Sequence, residues 1–288
     1  MIGGIETGGT KIICAVAEDE NNIIERIKID TQTPDVSIPK VVDFFKQYKI
    51  DAMGIGTFGP ADINPESEKY GYITTTPKEG WRDYDLLGSV MKHFDIPSVI
   101  DTDVNGAALG EYNLGAGRGK ESLVYMTVGT GVGAGAVLNG KTLHGISHPE
   151  MGHMILRRHP DDNYKGTCPY HLDCMEGLTA GPSILARTGK PGIELDDNHE
   201  VWNFLAYYIA QAVFNITLVL MPEVFILGGG VMQQKQLFAK IRSRFLEISN
   251  GYIQIDEIVN NVDSFIIAPQ LGGDAGIKGA LCLAKSLI

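Results

Sequence analysis

The chain carries the same series of predicted elements twice, and this repetition constrains its fold more than any other feature. Each copy reads as a glycine-containing hairpin, a helix, a strand with a glycine turn, a helix, a strand and a helix of small residues. The hairpins, 2–16 and 123–138, are about 120 residues apart, whereas the later elements are about 170 residues apart. The difference predicts an insertion of roughly 50 residues in the second copy, at about 141–190.

The duplication predicts an α/β fold with two similar lobes, 1–115 and 116–288, and an active-site cleft between them. The last helix, 275–286, is expected to pack back on the first lobe. Ligands of α/β folds usually bind in clefts at the carboxyl ends of strands. The alternative is one doubly wound sheet whose two halves resemble each other by coincidence.

Several local elements follow from capping and apolar spacing. Ser37 is expected to cap a helix, and residues 83–94 are expected to form another helix. The longest apolar stretch, 202–221, is interrupted by Gln211 and Asn215, so it is predicted to be a buried amphipathic helix and not a membrane span.

Charge and cysteine usage exclude several classes of protein. The net charge of −11 and pI of about 5.1 argue against a nucleic-acid or acidic-membrane partner, which requires a basic face. No secretory signal is recognisable at the start of the sequence. Two of the four cysteines flank a histidine and two lie alone in apolar runs, which is not a disulfide framework. These features predict a cytoplasmic protein.

Three glycine clusters follow predicted strands. Their backbone N–H groups can approach a phosphate without interference from a Cβ atom. A glycine turn alone is weak evidence because hairpins need glycine, but two such turns in equivalent hairpins favour a phosphate site. The chain has neither a P-loop nor a dinucleotide fingerprint, since the first cluster leads into a strand. The clusters are Gly8, Gly9, Thr10 and Lys11; Thr130 and Gly131 within 129–133; and Gly228, Gly229 and Gly230.

Asp103 is the candidate general base. It lies between a predicted strand and a helix of small residues, where a carboxylate can face a cleft. Phosphoryl transfer to an alcohol needs one carboxylate to orient the hydroxyl and accept its proton. Asp101 is expected to sit on the strand end. The alternative for Asp103 is that it only caps the helix.

A metal site is predicted in the insertion. Cys168, His171 and Cys174 form a Cys-x₂-His-x₂-Cys pattern, and His153 can complete a tetrahedral Cys₂His₂ set. His144, His148 and His159 are nearby alternatives for the fourth ligand. Four protein ligands leave zinc no open position, so this zinc would be structural.

Two further segments are candidates for binding a polyol. Glu150 lies three residues before His153, where a carboxylate beside a fixed histidine can hydrogen-bond sugar hydroxyls; the alternative is a solvated loop glutamate. The loop 74–81 contains Lys78 and Trp81, so it either covers a sugar face or is an ordinary surface loop.

These motifs together resemble the ROK sugar kinases and, within them, the bacterial zinc-containing fructokinases. The resemblance covers essentially the whole chain. It is carried by 4–11, by Asp103-Val104-Asn105, by Glu150-Met151-Gly152-His153 and by the cysteine loop, with 58–60 and 76–81 also similar to the fructokinase branch. Two features depart from the common ROK pattern and are similar to the fructokinases: Glu6 stands where most members have aspartate, and the cysteine spacing differs.

The resemblance implies an actin-like ATPase (ribonuclease H-like) fold that binds ATP and Mg²⁺ in its cleft. It also implies that Asp103 is the general base, that His153 is the fourth ligand of a structural Zn²⁺, and that the protein forms a homodimer. Sugar contacts are implied for Asn105, Glu150, His153, Gly59 and Pro60. Nucleotide contacts are implied for Gly8, Gly9, Thr10, Lys11, Thr130, Gly131, Pro182, Gly228, Gly229, Gly230, Val231 and Met232.

The function that these implications favour is phosphorylation of D-fructose to fructose 6-phosphate. One alternative is a kinase for mannose, glucose or an N-acetylated amino sugar, because substrate choice can depend on one or two side chains. Another is a sugar-sensing ROK protein without catalysis. A ROK repressor is disfavoured because the phosphate hairpin begins within ten residues of Met1 and the chain is acidic.

Overall fold

The structure is a computed structural model that describes residues 1–288. The elements of the first copy are β1 (Ile2–Thr7), β2 (Lys11–Ala17), β3 (Ile23–Asp30), α1 (Pro34–Phe45), β4 (Ala52–Thr57), β5 (Tyr72–Ile73), β6 (Tyr84–Asp85), α2 (Leu86–Met91), β7 (Ser98–Thr102) and α3 (Asp103–Leu114). Five of these strands form a sheet in the order β3-β2-β1-β4-β7. The pairs β1–β2 and β2–β3 are antiparallel, whereas β1, β4 and β7 run parallel.

The second copy repeats this topology. Its strands form a second sheet in the order β10-β9-β8-β11-β12, which is again third, second, first, fourth and fifth. The predicted duplicated α/β fold is therefore confirmed, and the alternative of one doubly wound sheet is wrong. The elements are β8 (Ser122–Val128), β9 (Val132–Leu138), β10 (Lys141–Thr142), α4 (Met175–Thr179), α5 (Gly181–Thr188), α6 (Val201–Leu220), β11 (Val224–Gly228), α7 (Gln236–Ser249), α8 (Asp256–Val259), α9 (Val262–Phe265), β12 (Ile266–Ile267) and α10 (Ala275–Lys285).

By compactness the chain divides into two units. Unit 1 comprises Met1–Gly119, Gly135–Pro149 and Gln270–Ile288, and unit 2 comprises Lys120–Ala134 and Glu150–Pro269. Each unit combines separate stretches of the chain, whereas the predicted lobes are two continuous stretches divided after residue 115. The last helix, α10, belongs to unit 1.

Unit 1 packs its helices against the first sheet through small residues. A Cβ atom on Gly54 in β4 would lie 2.0 Å from the carbonyl oxygen of Ala280 in α10. Likewise, a Cβ on Gly279 of α10 would lie 1.7 Å from the carbonyl oxygen of Gly106 in α3. Glycine is therefore required at both positions for α10 to reach β4 and α3. The opposite face of the sheet is covered by a large apolar cluster that includes Phe45 and Trp81.

Unit 2 is built around α6. This helix is long and apolar enough to cross a membrane by length and composition. However, Trp202, Tyr208 and Val213 are fully buried within the protein, and α6 packs against α4 and α7. The prediction of a buried amphipathic helix is confirmed.

Two local predictions are wrong. The helix α1 begins at Pro34 with Thr33 as its N-cap residue, and not after Ser37. Proline suits the first helical turn because its missing N–H would have no partner there. Ser37 is buried inside the helix, and its hydroxyl accepts a hydrogen bond from Gln32 N. The helix predicted at 83–94 is shorter, because the Asp85 side chain accepts from Gly88 N and starts α2 at Leu86.

Candidate functional site

Three parallel strands of unit 1 end in threonines at one edge of the sheet. Thr7, Thr57 and Thr102 are in register, and Thr7 Oγ1 donates to Thr57 Oγ1 at 2.8 Å. The residues that follow each strand are the first glycine hairpin, the turn containing Gly59 and the helix that Asp103 begins. The topology therefore brings three predicted segments to the carboxyl ends of neighbouring strands, where α/β folds bind ligands.

Asp103 is the first residue of α3, but it is not the residue that caps the helix. The hydroxyl of Thr102 accepts from Asn105 N at 3.1 Å and takes that role. Asp103 is partly exposed, and its Oδ1 accepts from Val104 N at 2.9 Å. The alternative that Asp103 serves as the cap is therefore wrong.

Asn105 is buried, with 1% of its surface exposed. Its amide Nδ2 donates to Asp101 Oδ1 at 2.7 Å, while its Oδ1 is buried without a hydrogen-bond partner. In this arrangement the side chain supports the first turn of α3. The implied contact between Asn105 and the sugar stays a prediction.

The first glycine hairpin presents its backbone at the tip of a tight turn. Gly8 N donates to the Lys11 carbonyl at 2.8 Å, and a Cβ on Gly9 would meet no atom within 4 Å. Gly9 and Thr10 are exposed, so their N–H groups are accessible. Lys78 Nζ donates to the Gly9 carbonyl at 2.7 Å and holds the turn from one side.

Glu6, at the end of the strand that precedes this hairpin, carries a buried carboxylate oxygen, Oε2, with no hydrogen-bond partner. Burial raises the pKa of Glu6, and the nearby Lys11 lowers it in part. A buried, unpartnered carboxylate oxygen fits a hard cation such as Mg²⁺ or a water bound to it.

Gly59 and Pro60 form the turn after β4, and the peptide bond between them is cis. The Pro60 carbonyl accepts from Thr74 N at 2.8 Å, and Ala61 N donates to His148 Nε2 at 3.2 Å. Both residues are partly exposed. These two hydrogen bonds hold the turn in place through Pro60 and Ala61.

The loop 74–81 does not present its aromatic residue to a ligand. Trp81 is fully buried in unit 1, and its Nε1 donates to the Gln32 carbonyl at 2.7 Å. The idea that Trp81 covers a sugar face is therefore wrong, because the indole belongs to the apolar core.

In unit 2 the implied nucleotide residues lie close together. Gly181 N, at the start of α5, donates to the Gly129 carbonyl at 2.7 Å, and a Cβ on Gly129 would lie 3.6 Å from Gly230 N. Gly229 has a φ of +93° and leaves no room for a side chain beside Val128. The second hairpin, the start of α5 and the turn after β11 thus converge. These segments contain the exposed Thr130, Pro182 and Gly230, the partly exposed Gly131 and Gly229, and the buried Gly228, Val231 and Met232.

Glu150 and His153 are the ends of a single 3₁₀ turn in unit 2. The exposed Glu150 precedes the turn, and its carbonyl accepts from His153 N at 3.0 Å. The turn packs directly on the second hairpin, because a Cβ on Gly152 would lie 1.8 Å from the Val132 carbonyl. Glycine at 152 therefore allows the turn to hold Glu150 and His153 beside the hairpin.

The four predicted metal ligands converge in unit 2. Their ligand atoms all lie within 4.8 Å of one another. The Nδ1 atom of His153 is 3.7 Å from Cys168 Sγ and 3.5 Å from Cys174 Sγ, and Cys168 Sγ is 3.8 Å from His171 Nδ1. With zinc–sulfur and zinc–nitrogen bonds of usual length, a tetrahedral site separates sulfur and nitrogen by about 3.6 Å. The donor set therefore fits a tetrahedral cation.

The chemistry of the sulfur atoms points the same way. Burial raises the pKa of the Cys174 thiol to about 11, and a bound cation would stabilise its thiolate. The alternative histidines have other partners: His144 Nε2 contacts Asp101, His148 Nε2 contacts Ala61 N, and the His159 ring packs on Phe204 and Tyr207.

Comparisons with known proteins show the family of the chain. A model of the ROK family matches residues 2–287. The chain belongs to the ROK family. The fructokinase of Pediococcus pentosaceus is 46% identical over 288 residues, covering 100% of this chain and 99% of that protein.

Solved structures of ROK proteins have the same fold. A ROK family glucokinase from Streptomyces griseus, in complex with glucose and AMPPNP, is 25% identical with a TM-score of 0.74 and covers 99% of both chains. A ROK hexokinase from Thermus thermophilus is 24% identical with a TM-score of 0.80, and the match covers 99% of this chain and 98% of that chain. The fold is the actin-like ATPase fold.

Sequence reasoning missed the surroundings of one carboxylate in this ROK protein. Asp101 was expected only to end a strand, but it is buried and bonded to Asn105, Thr142 and His144. Because β10 lies about 40 residues further along the chain, no local pattern signals this contact. The only available signal was a polar pair, Thr142 and His144, with one residue between them beside a glycine turn.

Proposed function

We propose that this protein is a fructokinase that transfers the γ-phosphate of ATP to the 6-hydroxyl of D-fructose. The observation that carries the proposal is the position of Asp103, which is partly exposed at the carboxyl end of β7 while Thr102 performs the capping. The ROK match over nearly the whole chain and the fructokinase relative support the same reaction.

Asp103 is the general base in this proposal. Its carboxylate accepts the proton of the sugar hydroxyl as that oxygen attacks the γ-phosphorus and the bond to ADP breaks. Phosphoryl transfer depends mainly on positioning and charge stabilisation.

The glycine segments supply that charge stabilisation. Backbone N–H groups at Gly9 and Thr10 in unit 1, and at Thr130 and Gly131 in unit 2, are the donors proposed for phosphate oxygens. Glu6 Oε2 is proposed as a ligand of Mg²⁺ or of a water molecule bound to it. Mg²⁺, when bound, neutralises charge on the transferring phosphoryl group.

Sugar recognition is proposed for Glu150 and His153, with Asn105, Gly59 and Pro60 as further contacts. The turn that carries Glu150 is rigidly seated on the second hairpin through Gly152, so its position is well defined. Carboxylates accept hydrogen bonds from pairs of sugar hydroxyls, and closure of such a site excludes the water that would compete as phosphoryl acceptor.

The Cys₂His₂ cluster is proposed to hold a structural Zn²⁺ through His153, Cys168, His171 and Cys174. Zinc with four protein ligands has no open position and therefore fixes the loop without taking part in the reaction. Because His153 is three residues from Glu150, the zinc would also fix the sugar-binding turn.

We further propose that the protein is cytoplasmic and forms a homodimer through the insertion. Ile155, Tyr170 and Leu172, all in unit 2 around the metal ligands, are large apolar side chains that are 67%, 59% and 60% exposed. Exposed apolar side chains grouped in one loop are typical of an interaction surface.

The experiment that tests the function is a coupled ADP-release assay with fructose, mannose, glucose and N-acetylated hexosamines. We expect fructose to give the highest kcat/KM, with fructose 6-phosphate as the product. A higher kcat/KM with another hexose assigns the protein to that sugar, and no ADP release with any of them contradicts the kinase proposal.

A further inference from the structure

The carboxylate of Asp101 is buried, yet polar groups contact both of its oxygens. Only 2% of the residue is exposed. Its Oδ1 accepts from Thr102 N and from Asn105 Nδ2, each at 2.7 Å. Its Oδ2 accepts from Thr142 Oγ1 at 3.0 Å and lies 2.9 Å from His144 Nε2. A buried carboxylate needs hydrogen-bond donors in place of water, so these contacts fix the orientation of the Asp101 side chain.

The two oxygens of Asp101 face two different parts of unit 1. Oδ1 holds the main chain just before Asp103 and the side chain of Asn105, which lies in the first turn of α3. Oδ2 is held by the segment that contains β10. The carboxylate therefore links this segment to the first turn of the helix that carries Asp103.

We propose that His144 is a positioning residue: by holding Asp101 it fixes the start of α3 and thereby the location of the Asp103 carboxylate. The proposal rests on the proposed role of Asp103 as the base. His144 itself acts through Asp101, because its Nε2 is bonded to that carboxylate.

The charge state of His144 adds a measurable signature. The hydrogen bond to Asp101 and its negative charge raise the pKa of His144, although burial lowers it in part. The protonated histidine therefore contributes stability that is fully present below the unfolded pKa of about 6.5 and is lost as pH rises through the folded pKa. The other charged groups lining the cavity next to the imidazole are Glu20, Lys141 and Lys285.

The same cavity gives access to the imidazole. It has a volume of about 570 Å³ and lies in unit 1, with Leu109, Asn113 and Cys282 among its other lining residues. The His144 side chain is 39% exposed. Removal of the imidazole would thus leave a space that free imidazole in solution can enter.

The test compares four variants under saturating ATP and fructose. His144→Ala removes the donor, His144→Gln keeps an uncharged donor near the Nε2 position, and Thr142→Val removes the second donor to the same oxygen. His93→Ala, at an exposed histidine of the same unit, is the matched control. We expect His144→Ala to lower kcat about tenfold with KM for ATP changed less than about twofold.

Partial recovery separates positioning from a general loss of structure. We expect His144→Gln to keep kcat within about threefold of the wild-type value, and free imidazole at about 50 mM to raise kcat of His144→Ala at least about threefold. Imidazole should not activate His93→Ala. If kcat of His144→Ala stays within about twofold of wild type, or if imidazole and the Gln variant both fail to recover it, the proposal is overturned.

A readout without catalysis keeps this test separate from the proposed function. Urea unfolding of wild type and His144→Ala between pH 5 and 9 should show the largest difference in stability below about pH 6.5. A difference that does not change with pH overturns the ion pair. If wild type phosphorylates no sugar but the pH-dependent difference is present, then the proposed function has failed and not the contact. If His144→Ala does not fold, His144→Gln and Thr142→Val carry the test. The proposal is then overturned if kcat of Thr142→Val is unchanged and if the difference in stability between His144→Gln and wild type does not vary with pH.

Discussion

The two sheets have the same strand order but differ in the lengths of their strands and in the segments that carry the predicted site residues. In the first sheet the third and fifth strands, β3 and β7, have 8 and 5 residues, and β7 leads directly into Asp103. In the second sheet the corresponding strands, β10 and β12, have 2 residues each. Instead, the second copy carries its extra residues in the insertion that contains the four metal ligands. A shared frame thus places a helix-starting carboxylate in one copy and a loop with the four predicted metal ligands in the other.

The two units also differ in what stabilises their polar interiors. Unit 1 has an extensive apolar cluster, with Asp101 and Glu111 as buried acids bonded mainly to backbone N–H groups and side-chain donors. The loop of unit 2 is held by the cysteine–histidine cluster and by a buried ion pair between Asp162 and Arg187. The comparison predicts that activity is most sensitive in unit 1 and that ionic and metal-dependent stability is concentrated in unit 2.

The largest effect is expected at Asp103. We expect Asp103→Asn to lower kcat about a thousandfold, which corresponds to about 4 kcal/mol, because the amide cannot accept the hydroxyl proton. The binding of ATP should change little, as measured by calorimetry. Asp95→Asn, at an exposed acid of the same unit, is the control and should retain full activity. A decrease of less than about tenfold in Asp103→Asn would contradict the base assignment and the expectation that activity is most sensitive in unit 1.

The second effect concerns the ion pair of unit 2. Arg187 Nη2 donates to Asp162 Oδ2 at 2.8 Å, and Tyr208 OH donates to the same oxygen at 2.7 Å. We expect Arg187→Met to lower the free energy of unfolding by about 3 kcal/mol, because a buried carboxylate loses its counter-charge. The exposed pair in α7 supplies the control: Arg244→Met should cost less than about 1 kcal/mol.

The pH dependence sharpens this test. Burial alone would raise the pKa of Asp162, but hydrogen bonds from Arg187, Tyr208 and the Tyr164 backbone outweigh it and lower the pKa. A depressed folded pKa contributes stability above the unfolded pKa of about 3.9, and this is lost as pH falls through the folded value. The destabilisation of Arg187→Met should therefore be largest at neutral pH and shrink in acid. Urea titrations at pH 7 and at about pH 3 measure it, and an equal cost at both would contradict the ion pair.

The third effect is the loss of the metal. We expect Cys174→Ser to reduce bound zinc well below one atom per chain. The free energy of unfolding should fall by about 2 kcal/mol, because the zinc stabilises only the loop that carries its ligands and not the whole chain. Cys14→Ala, in β2 of unit 1, should retain the zinc. Metal analysis of freshly purified protein gives the zinc content, and thermal unfolding with and without a chelator gives the stability. Equal zinc in both variants would show that the cluster is not the metal site.

The sequence predicted the features that depend on neighbouring residues. The metal ligands and both glycine hairpins are recognisable because their spacing within one loop or turn carries the chemistry, and the repeat order is recognisable because it spans the whole chain. Contacts between distant segments were not predictable. Trp81 looked exposed in a polar loop but reaches Gln32, and His144 looked like a spare metal ligand but reaches Asp101. In both cases the partner is determined by which strand or loop lies alongside, and tertiary packing decides this.

The smallest expected effect tests the proposed homodimer and whether the insertion of unit 2 forms its interface. Ile155 is 67% exposed beside the metal ligands, and Val219, at the end of α6, is 80% exposed in the same unit. Burying one further CH₂ group contributes about 0.8 kcal/mol, and a symmetric dimer contains two copies of Ile155, so Ile155→Ser should weaken dimerisation about tenfold. Val219→Ser should leave the dissociation constant unchanged. Analytical ultracentrifugation across a concentration series measures both, and equal dissociation constants for the two variants would place any dimer interface away from the insertion.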